Sequence, residues 1–304
     1  MGETDKIKEL ITNPAANTEQ GGGKKISDFT GKPSQSGTLY GDALNDTNIN
    51  DIIEDTPPHV VVLIGFPKYG KSTFVASFYH AVMTTGAIGK YKFIDSDTLL
   101  GFERRAHIRR EELKVGMRLD RTPIYADFFL SLLFENTHTG QKVKLILSDR
   151  SGEAYLEYGK QAAKLDEDLS LRHAGHLLFF LDASAVAGGD FLEMQSNLNM
   201  LLPRMNKYGA FNERKRVDVV FNKKDLVKDE QKTDYETNKT EILKMVGKVA
   251  AVNKDQELES LHIPTNDECN KFFEYLLDCC EQPTAITADV KEKLDWAGKK
   301  TKMI

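Results

Sequence analysis

The sequence contains few cysteines, no long apolar run and no excess of basic residues, and each shortage excludes a class of protein. The three cysteines, Cys269, Cys279 and Cys280, are an odd number without C-x-x-C spacing, so neither a disulfide framework nor a zinc site is expected. No run reaches the roughly 18 apolar residues of a membrane span, and the first residues lack the basic and apolar segments of a signal peptide. We therefore predict a cytoplasmic protein with no membrane partner.

The charge balance is slightly acidic, with 41 Lys and Arg against 46 Asp and Glu and a net charge of -5. A protein that binds nucleic acid through its phosphate backbone needs a basic surface, so nucleic acid is not the expected partner. With 304 residues, of which 40% are hydrophobic, the chain can bury a substantial core.

One segment, HVVVLIGFPKYGKST (His59 to Thr73), carries most of the functional information. The run from Val60 to Ile64 is typical of a buried parallel strand, and the next eight residues match G-x-x-x-x-G-K-[ST], the phosphate-binding loop. Apolar residues at helical spacing follow, which completes the strand, loop and helix that the motif requires. The alternative, a chance match or a decayed loop, is disfavoured by this context.

Such a loop binds polyphosphate through its backbone N–H groups and through the N-terminus of the helix that follows. Lys71 would reach the outer phosphates and act in catalysis, and Ser72 would hold Mg²⁺. We therefore expect a nucleoside triphosphate with Mg²⁺. The predicted nucleotide-binding residues of the loop are Gly65, Lys68, Tyr69, Gly70, Lys71, Ser72 and Thr73.

Composition divides the chain into three parts. Residues 1–56 are rich in Gly, Ser, Thr, Asn and Asp and have few large apolar side chains, so we predict a flexible polar arm. Residues 57–280 would form the globular domain, with an insertion at about 97–121, and residues 281–304 would form a polar tail.

Within the predicted domain, apolar strand patterns alternate with helical patterns. Most strands are separated by helices, but the turn from Asn136 to Gly140 joins an antiparallel pair. This arrangement predicts a mainly parallel sheet with helices on both faces, the three-layer α/β fold of P-loop NTPases. Strands are predicted at 60–64, 91–94, 124–135, 142–148, 177–181, 217–221 and 258–263, and later helices from Leu192 to Pro203, at 242–252 and at 270–280.

The order of the motifs resembles that of the TRAFAC-class GTPases, which include Ras-like switches and translation factors. GFPKYGKS is followed by a Thr before a strand, then by DRSG (149–152) and then by NKKD (222–225). The phosphate loop, DRSG and NKKD each follow directly after a strand, where ligands bind in this kind of fold. The resemblance covers about residues 58–280 and implies a Ras-like G domain that binds GTP or GDP with Mg²⁺.

The class implies a role for each residue of the two later motifs. Asp149 would steady Mg²⁺ through a water molecule, and the main-chain N–H of Gly152 would meet the γ-phosphate. In NKKD, beside Asn222, the Asp225 carboxylate would accept two N–H bonds from guanine while the Lys223 stem packs along the base. Adenine lacks the 2-amino group and carries an amino group where guanine has a carbonyl, so this motif predicts GTP rather than ATP.

The class also implies a threonine that binds Mg²⁺ just before the strand leading to DRSG. Thr122 stands there, and Pro123 favours an extended backbone at Thr122. Thr98 is the alternative, and Thr122 could also be an ordinary residue at the start of a strand.

Two departures from the class pattern affect the expected mechanism. Glu153 stands where Ras-like enzymes have the Gln that orients the attacking water, and it either accepts a proton from water or is structural. Pro67 has no N–H group, so the loop cannot donate a hydrogen bond from that position. We therefore expect GTP hydrolysis that is slow without a partner.

The insertion at about 97–121 is rich in arginine and lies just before Thr122. It is a candidate switch, since γ-phosphate and Mg²⁺ together would draw Thr122 and the attached segment inward. The alternative is a rigid insertion that packs through Leu99, Leu100, Phe102 and Ile108. One arginine could stabilise charge on the phosphate, or the arginines could form a solvated face. They are Arg104, Arg105, Arg109 and Arg110.

Three further strings, TLLGFERR, DRSGE and ASAVAGGDF, resemble the bacterial double-GTPase-type family, which is associated with conflict and defence gene clusters. This narrower resemblance implies a GTP-controlled molecular switch that acts on a partner protein. Two other functions remain open: a module that senses GTP or acts as a scaffold with negligible hydrolysis, and a P-loop kinase or ATPase, which NKKD disfavours.

Overall fold

The computed structural model describes residues 41–45, 49, 58–111, 128–166, 168–260 and 266–281, without the side chains of 107–111, 162 and 169. These residues belong to the compact unit Gly41–Ile304. None of the described helices combines the length and the apolar character needed to cross a lipid bilayer.

The described residues form a single sheet and the helices that cover it. The strands are β1 (Pro58–Ile64), β2 (Ala87–Ile88), β3 (Tyr91–Asp95), β4 (Phe128–Asn136), β5 (Lys142–Asp149), β6 (His176–Asp182), β7 (Arg216–Asn222) and β8 (Lys254–Glu257). The helices are α1 (Lys71–Thr85), α2 (Leu99–Glu111), α3 (Gly152–Lys160), α4 (Ala162–Asp166), α5 (Leu169–His173), α6 (Ala183–Ala187), α7 (Phe191–Tyr208), α8 (Lys232–Gly247) and α9 (Asp267–Glu281). Two 3-10 turns, Lys224–Leu226 and Asp229–Gln231, follow β7.

The strand order in the sheet is β2-β3-β4-β5-β1-β6-β7-β8. Strands β5, β1, β6, β7 and β8 are parallel, and β2, β3 and β4 extend the sheet in antiparallel pairs. The prediction of a mainly parallel sheet is therefore confirmed. The predicted antiparallel pair corresponds to β4 and β5. Because these five strands run the same way, the loops that follow them meet at one edge of the sheet.

Strand β1 is buried on both faces, as its unbroken apolar sequence predicts. Val60, Val62 and Ile64 lie in one core, which helices α3, α7 and α8 cover. Val61 and Leu63 lie in the other, which helices α1 and α9 cover. The three-layer α/β architecture of a P-loop NTPase is therefore confirmed.

The prediction of the last strand is wrong. It placed the strand at 258–263, whereas β8 spans Lys254–Glu257 and Leu258 follows it. Strand β8 has the polar sequence KDQE and pairs only with β7 at the edge of the sheet, so it lacks the apolar pattern of the inner strands. Its Glu257 carboxylate instead accepts hydrogen bonds from Tyr235 Oη at 2.9 Å and Lys239 Nζ at 2.8 Å.

Two helices extend beyond their predicted bounds. Helix α7 continues past Pro203 to Tyr208, because the loss of one N–H donor is offset by burial of Leu202 and Met205 around it. Gly209, with a φ of 83°, then ends the helix. Helix α8 spans Lys232–Gly247, so it begins before the predicted start at 242 and ends before the predicted end at 252. The earlier start was missed because the first half of the helix is polar apart from the buried Tyr235.

A short part of the segment assigned to the N-terminal arm packs on the domain. Leu44 forms a β-bridge with Phe129, with N–O distances of 2.9 and 2.8 Å. Ala43 and Ile49 are also buried. Gly41, Asp42 and Asn45 are also described, and the remaining residues of 1–56 lie outside the described residues.

Candidate functional site

The loop after β1 approaches its neighbours too closely to carry side chains at its glycines. A Cβ atom on Gly65 would lie 2.6 Å from the carbonyl oxygen of Phe180, on the adjacent strand β6. Gly70 has a φ of 96°, and Lys68 also has a positive φ, of 68°. These left-handed residues turn the chain sharply from β1 into α1. Gly70 caps α1 without a side chain, and the first turn of α1 contains no acidic residue.

The first residue of NKKD is locked against this loop. Asn222 ends β7, is 1% exposed, and donates a hydrogen bond from Nδ2 to the Tyr69 carbonyl oxygen at 3.2 Å. A Cβ atom on Gly70 would lie only 2.2 Å from Asn222 Nδ2. Asn222 therefore fixes the phosphate loop from the far side of β6.

The second residue of NKKD joins the same loop to β6. Lys223 has a left-handed backbone, with a φ of 64°, and its Nζ donates to the Lys68 carbonyl oxygen at 2.8 Å. The same Nζ lies 2.5 Å from Asp182 Oδ2, at the end of β6. Asp182 Oδ1 in turn accepts a hydrogen bond from Ser184 N and caps helix α6. The Lys223 stem is thus held at its backbone by the left-handed turn and at its Nζ by Lys68 and Asp182.

Asp225, the last residue of NKKD, is exposed to solvent, and Ser260 orients its carboxylate. Its Oδ1 accepts hydrogen bonds from Ser260 N at 2.5 Å and Ser260 Oγ at 2.8 Å. Ser260 is not among the predicted site residues, because the sequence of residues 258–263 predicts a strand there. The available signal was a polar residue shortly after the last strand, at the same edge of the sheet as NKKD.

Lys71 is buried in the loop, with 6% of its surface exposed. Its Nζ donates to the carbonyl oxygens of Gly65 at 2.5 Å and Phe66 at 3.2 Å. Burial lowers the pKa of Lys71 to about 8, although the negative charges of Asp149 and Glu153 oppose this shift. The Lys71 ammonium group therefore lies at the centre of the loop, where its hydrogen-bond acceptors are main-chain carbonyl oxygens.

Ser72 and Asp149 bring two hard oxygen donors together. Ser72 Oγ donates to Asp149 Oδ1 at 3.2 Å, and Asp149 is 1% exposed at the end of β5. A hydroxyl and a carboxylate beside a phosphate loop fit Mg²⁺, which is usually held by one or two protein oxygens, water and phosphate. The described residues contain no group of three or more His, Cys, Asp or Glu side chains that could hold a metal ion. Mg²⁺ at this position would therefore also need water and phosphate ligands.

The DRSG segment touches the phosphate loop through its glycine. A Cβ atom on Gly152 would lie 2.3 Å from Pro67 N, so only glycine fits at this point. Ser151 caps helix α3 by accepting a hydrogen bond from Glu153 N, and its hydroxyl also contacts the Glu153 carboxylate. Tyr155 of α3 donates to the Leu63 carbonyl oxygen at 3.0 Å and ties α3 to β1.

The candidate switch threonine, Thr122, lies outside the described residues. The alternative, Thr98, is buried, and its Oγ1 accepts a hydrogen bond from Ser131 N on β4 at 2.8 Å. The Thr98 hydroxyl is therefore used to anchor the start of α2.

Most of the predicted residues come together at one edge of the sheet. Direct contacts join the phosphate loop to DRSG and to the first two residues of NKKD. They involve Lys68, Tyr69, Gly70, Ser72, Asp149, Gly152, Asn222 and Lys223. Gly65 instead approaches Phe180 on β6 and accepts a hydrogen bond from Lys71 within the loop. Thr73 lies half-buried in the first turn of α1, and Asp225 lies in the 3-10 turn that follows Lys223.

Comparison with known proteins gives one family and several distant structures. The sequence matches the Double-GTPase 2 family over residues 59–277. A search of curated proteins found no match.

Among solved structures, a bacterial selenocysteine-specific elongation factor, EF-Sec, has 15% identity and a TM-score of 0.38, covering 72% of this chain and 28% of that one. The GTPase-like domain of Ski7 from S. cerevisiae, bound to GTP, has 14% identity and a TM-score of 0.37, covering 68% of this chain and 45% of that one. The chain thus spans less than half the length of these two proteins. Such values describe a distant likeness and nothing about activity.

We predict that Gly65→Ala lowers the free energy of unfolding by about 1–3 kcal/mol, because the new Cβ collides with the main chain of β6. Urea denaturation without nucleotide measures this loss. Gly189→Ala is the matched control: its Cβ meets no atom within 4 Å, so its free energy of unfolding should change by no more than about 0.5 kcal/mol. Equal effects of the two substitutions would contradict the close approach of the loop to β6.

Proposed function

Because the chain belongs to the Double-GTPase 2 family, we propose that it binds GTP with Mg²⁺, hydrolyses it slowly, and acts as a molecular switch on a partner protein. The observation that carries the proposal is the contact of the phosphate loop with both DRSG and NKKD in one site. The part of the proposal that concerns a partner, and a bacterial conflict or defence system, rests only on the sequence resemblance.

Phosphate binding uses the charge already present in the loop. The N-terminus of the fifteen-residue helix α1 begins at Lys71 and has no acidic side chain in its first turn. Its main-chain N–H groups, with those of the loop from Lys68 to Thr73, would donate to the phosphates. Lys71 would leave its carbonyl contacts and bind the β- and γ-phosphate oxygens.

The metal would be held by Ser72 and Asp149, with Thr122 as the proposed third residue. When bound, Mg²⁺ neutralises charge on the β- and γ-phosphates. The main-chain N–H of Gly152 would meet the γ-phosphate, since this glycine already touches the loop at Pro67.

Guanine would be recognised by the second half of NKKD. Ser260 holds the Asp225 carboxylate at Oδ1, which leaves its other lone pairs for the N1–H and 2-amino groups of the base. Asp182 and the Lys68 carbonyl hold the tip of Lys223, so the Lys223 stem is available to pack along the base.

A second candidate function is a GTP-sensing module with negligible hydrolysis. The observation that favours it is the contact between the Glu153 carboxylate and the Ser151 hydroxyl, which uses Glu153 within its own helix terminus. Measurement of phosphate release from GTP distinguishes the two. Slow release that Lys71→Ala abolishes supports a GTPase, whereas GTP binding with release no faster than in Lys71→Ala supports the sensing module.

We predict that Asp225→Asn lowers the affinity for GTP at least about tenfold, because an amide offers one acceptor where guanine needs two. The variant should instead prefer xanthosine triphosphate, whose 2-carbonyl accepts a hydrogen bond from the Asn amide. Calorimetric titration measures both affinities, and it should show that the unaltered protein binds GTP at least about tenfold tighter than ATP.

Asp229→Asn is the matched control for the Asp225 substitution. It removes the same charge from an aspartate whose side chain is 92% exposed and pairs only with Lys232 among the described residues. Its nucleotide preference should equal that of the unaltered protein. Unchanged GTP preference in Asp225→Asn, or equal affinity of the unaltered protein for ATP and GTP, would contradict the guanine assignment.

We also predict that the affinity for GTP falls as the pH rises above about 8, where the Lys71 pKa lies. The phosphates favour charged Lys71, so binding above this pH requires proton uptake and the affinity falls about tenfold per pH unit. Below this pH the lysine is already protonated and the affinity is at its full value. Binding is followed between about pH 7 and about pH 9 in buffers of equal ionic strength.

Lys71→Arg is the control for the pH dependence. Its guanidinium stays protonated throughout this range, so its affinity should lack the decrease above about pH 8. Parallel pH profiles for the two proteins would show that Lys71 is not the titrating group.

A further inference from the structure

The buried carboxylate of Asp149 accepts a hydrogen bond on each of its two oxygens, from a hydroxyl on one and from a guanidinium on the other. Oδ1 faces Ser72 Oγ at 3.2 Å, on the side of the phosphate loop. Oδ2 accepts a hydrogen bond from Arg105 Nε at 2.6 Å. Only 1% of the aspartate surface is exposed, so both oxygens lie away from bulk solvent. The orientation of this carboxylate is therefore set by Arg105 on one side and Ser72 on the other.

Arg105 itself is held in a fixed position. Its Nη1 donates to the Gly101 carbonyl oxygen at 3.0 Å, and its guanidinium lies over the Phe128 ring at 5.1 Å. The side chain is 14% exposed. Such a planar group, bonded at two atoms and stacked on a ring, holds one orientation better than a lysine would.

The helix that carries Arg105 is anchored to the domain. The Phe102 ring stacks on Tyr79 of α1, with ring centroids 5.2 Å apart, and Tyr79 Oη donates to Glu103 Oε1 at 2.5 Å. Gly101 packs against the main chain of Ala43 so closely that a Cβ would lie 2.5 Å from Ala43 N. These contacts hold helix α2, and with it the backbone of Arg105, in a fixed position on the domain.

Of the two arginines on α2 whose side chains are described, Arg105 contacts Asp149 and Arg104 does not. Arg104 lies on the same helix, pairs with Asp42, and has a side chain that is 51% exposed. It offers the same charge without contact to Asp149. The side chains of Arg109 and Arg110 lie outside the description.

We propose that Arg105 is a positioning residue of the magnesium site: it holds Asp149 so that Oδ1 faces Ser72 and the metal. This inference rests on the proposed function, since it takes Ser72 and Asp149 as residues of the metal site. Carboxylates at metal sites are commonly oriented by a further hydrogen bond of this kind, and loss of that partner weakens metal binding by about 10- to 100-fold.

The placement of Arg105 also joins the metal site to α2, the helix of the predicted insertion that the structure describes. Because Arg105 is carried by α2, the proposal makes magnesium affinity depend on the position of this helix.

The test compares Arg105→Gln and Arg105→Lys with the control Arg104→Gln in the full chain. The release rate of a fluorescent GDP analogue, measured against free Mg²⁺ concentration, gives the half-saturating Mg²⁺ concentration. It should rise about tenfold or more in Arg105→Gln, and less in Arg105→Lys, which keeps the charge but not the second bond to Gly101. In Arg104→Gln it should stay within about twofold of the unaltered protein.

The release rate in excess EDTA is the readout that a merely structural ion pair would change. It should be the same in all four proteins, since Arg105 acts through Asp149 on the metal and not on the nucleotide. An unchanged or lower half-saturating Mg²⁺ concentration in both Arg105 variants would overturn the proposal, and so would faster release in EDTA that accounts for the whole effect. If the unaltered protein shows no Mg²⁺-dependent retention of GDP, the magnesium site itself is refuted.

Discussion

The backbone of the phosphate loop is held against its neighbours at distances that leave no room for a side chain. A Cβ atom would lie 2.6 Å from β6 at Gly65, 2.2 Å from Asn222 at Gly70, and 2.3 Å from the loop at Gly152. Each glycine is the point where another segment touches the loop. The relative positions of DRSG, NKKD and the loop depend on these approaches, because the parallel strands alone fix only the edge of the sheet where they meet.

The same packing sets the charges of the site. Burial lowers the pKa of Lys71 to about 8. The negative charge of the buried Asp149 is paired with the guanidinium of Arg105. Both are costly without a partner, since the protein interior screens charge poorly. In the proposed function a triphosphate would supply the charge opposite to Lys71, and Mg²⁺ would lie near the Asp149 oxygen that faces Ser72.

Sequence reasoning located the parts of the site that depend on local pattern. The apolar run of β1 and the glycine spacing after it predict a strand and a phosphate loop, and both are present. It missed the contacts that depend on tertiary packing: Ser260 on Asp225, Asp182 on Lys223, and Arg105 on Asp149. It also missed β8, because an edge strand that pairs through its backbone needs no apolar pattern.

Selection of a guanine nucleotide by this site can be tested in a single competition experiment. The protein is equilibrated with equal concentrations of GTP and ATP in Mg²⁺, separated from free nucleotide and denatured, and the released nucleotides are identified by chromatography. We expect to recover GTP and its product GDP almost alone. Recovery of adenine nucleotide in equal or greater amount would contradict it.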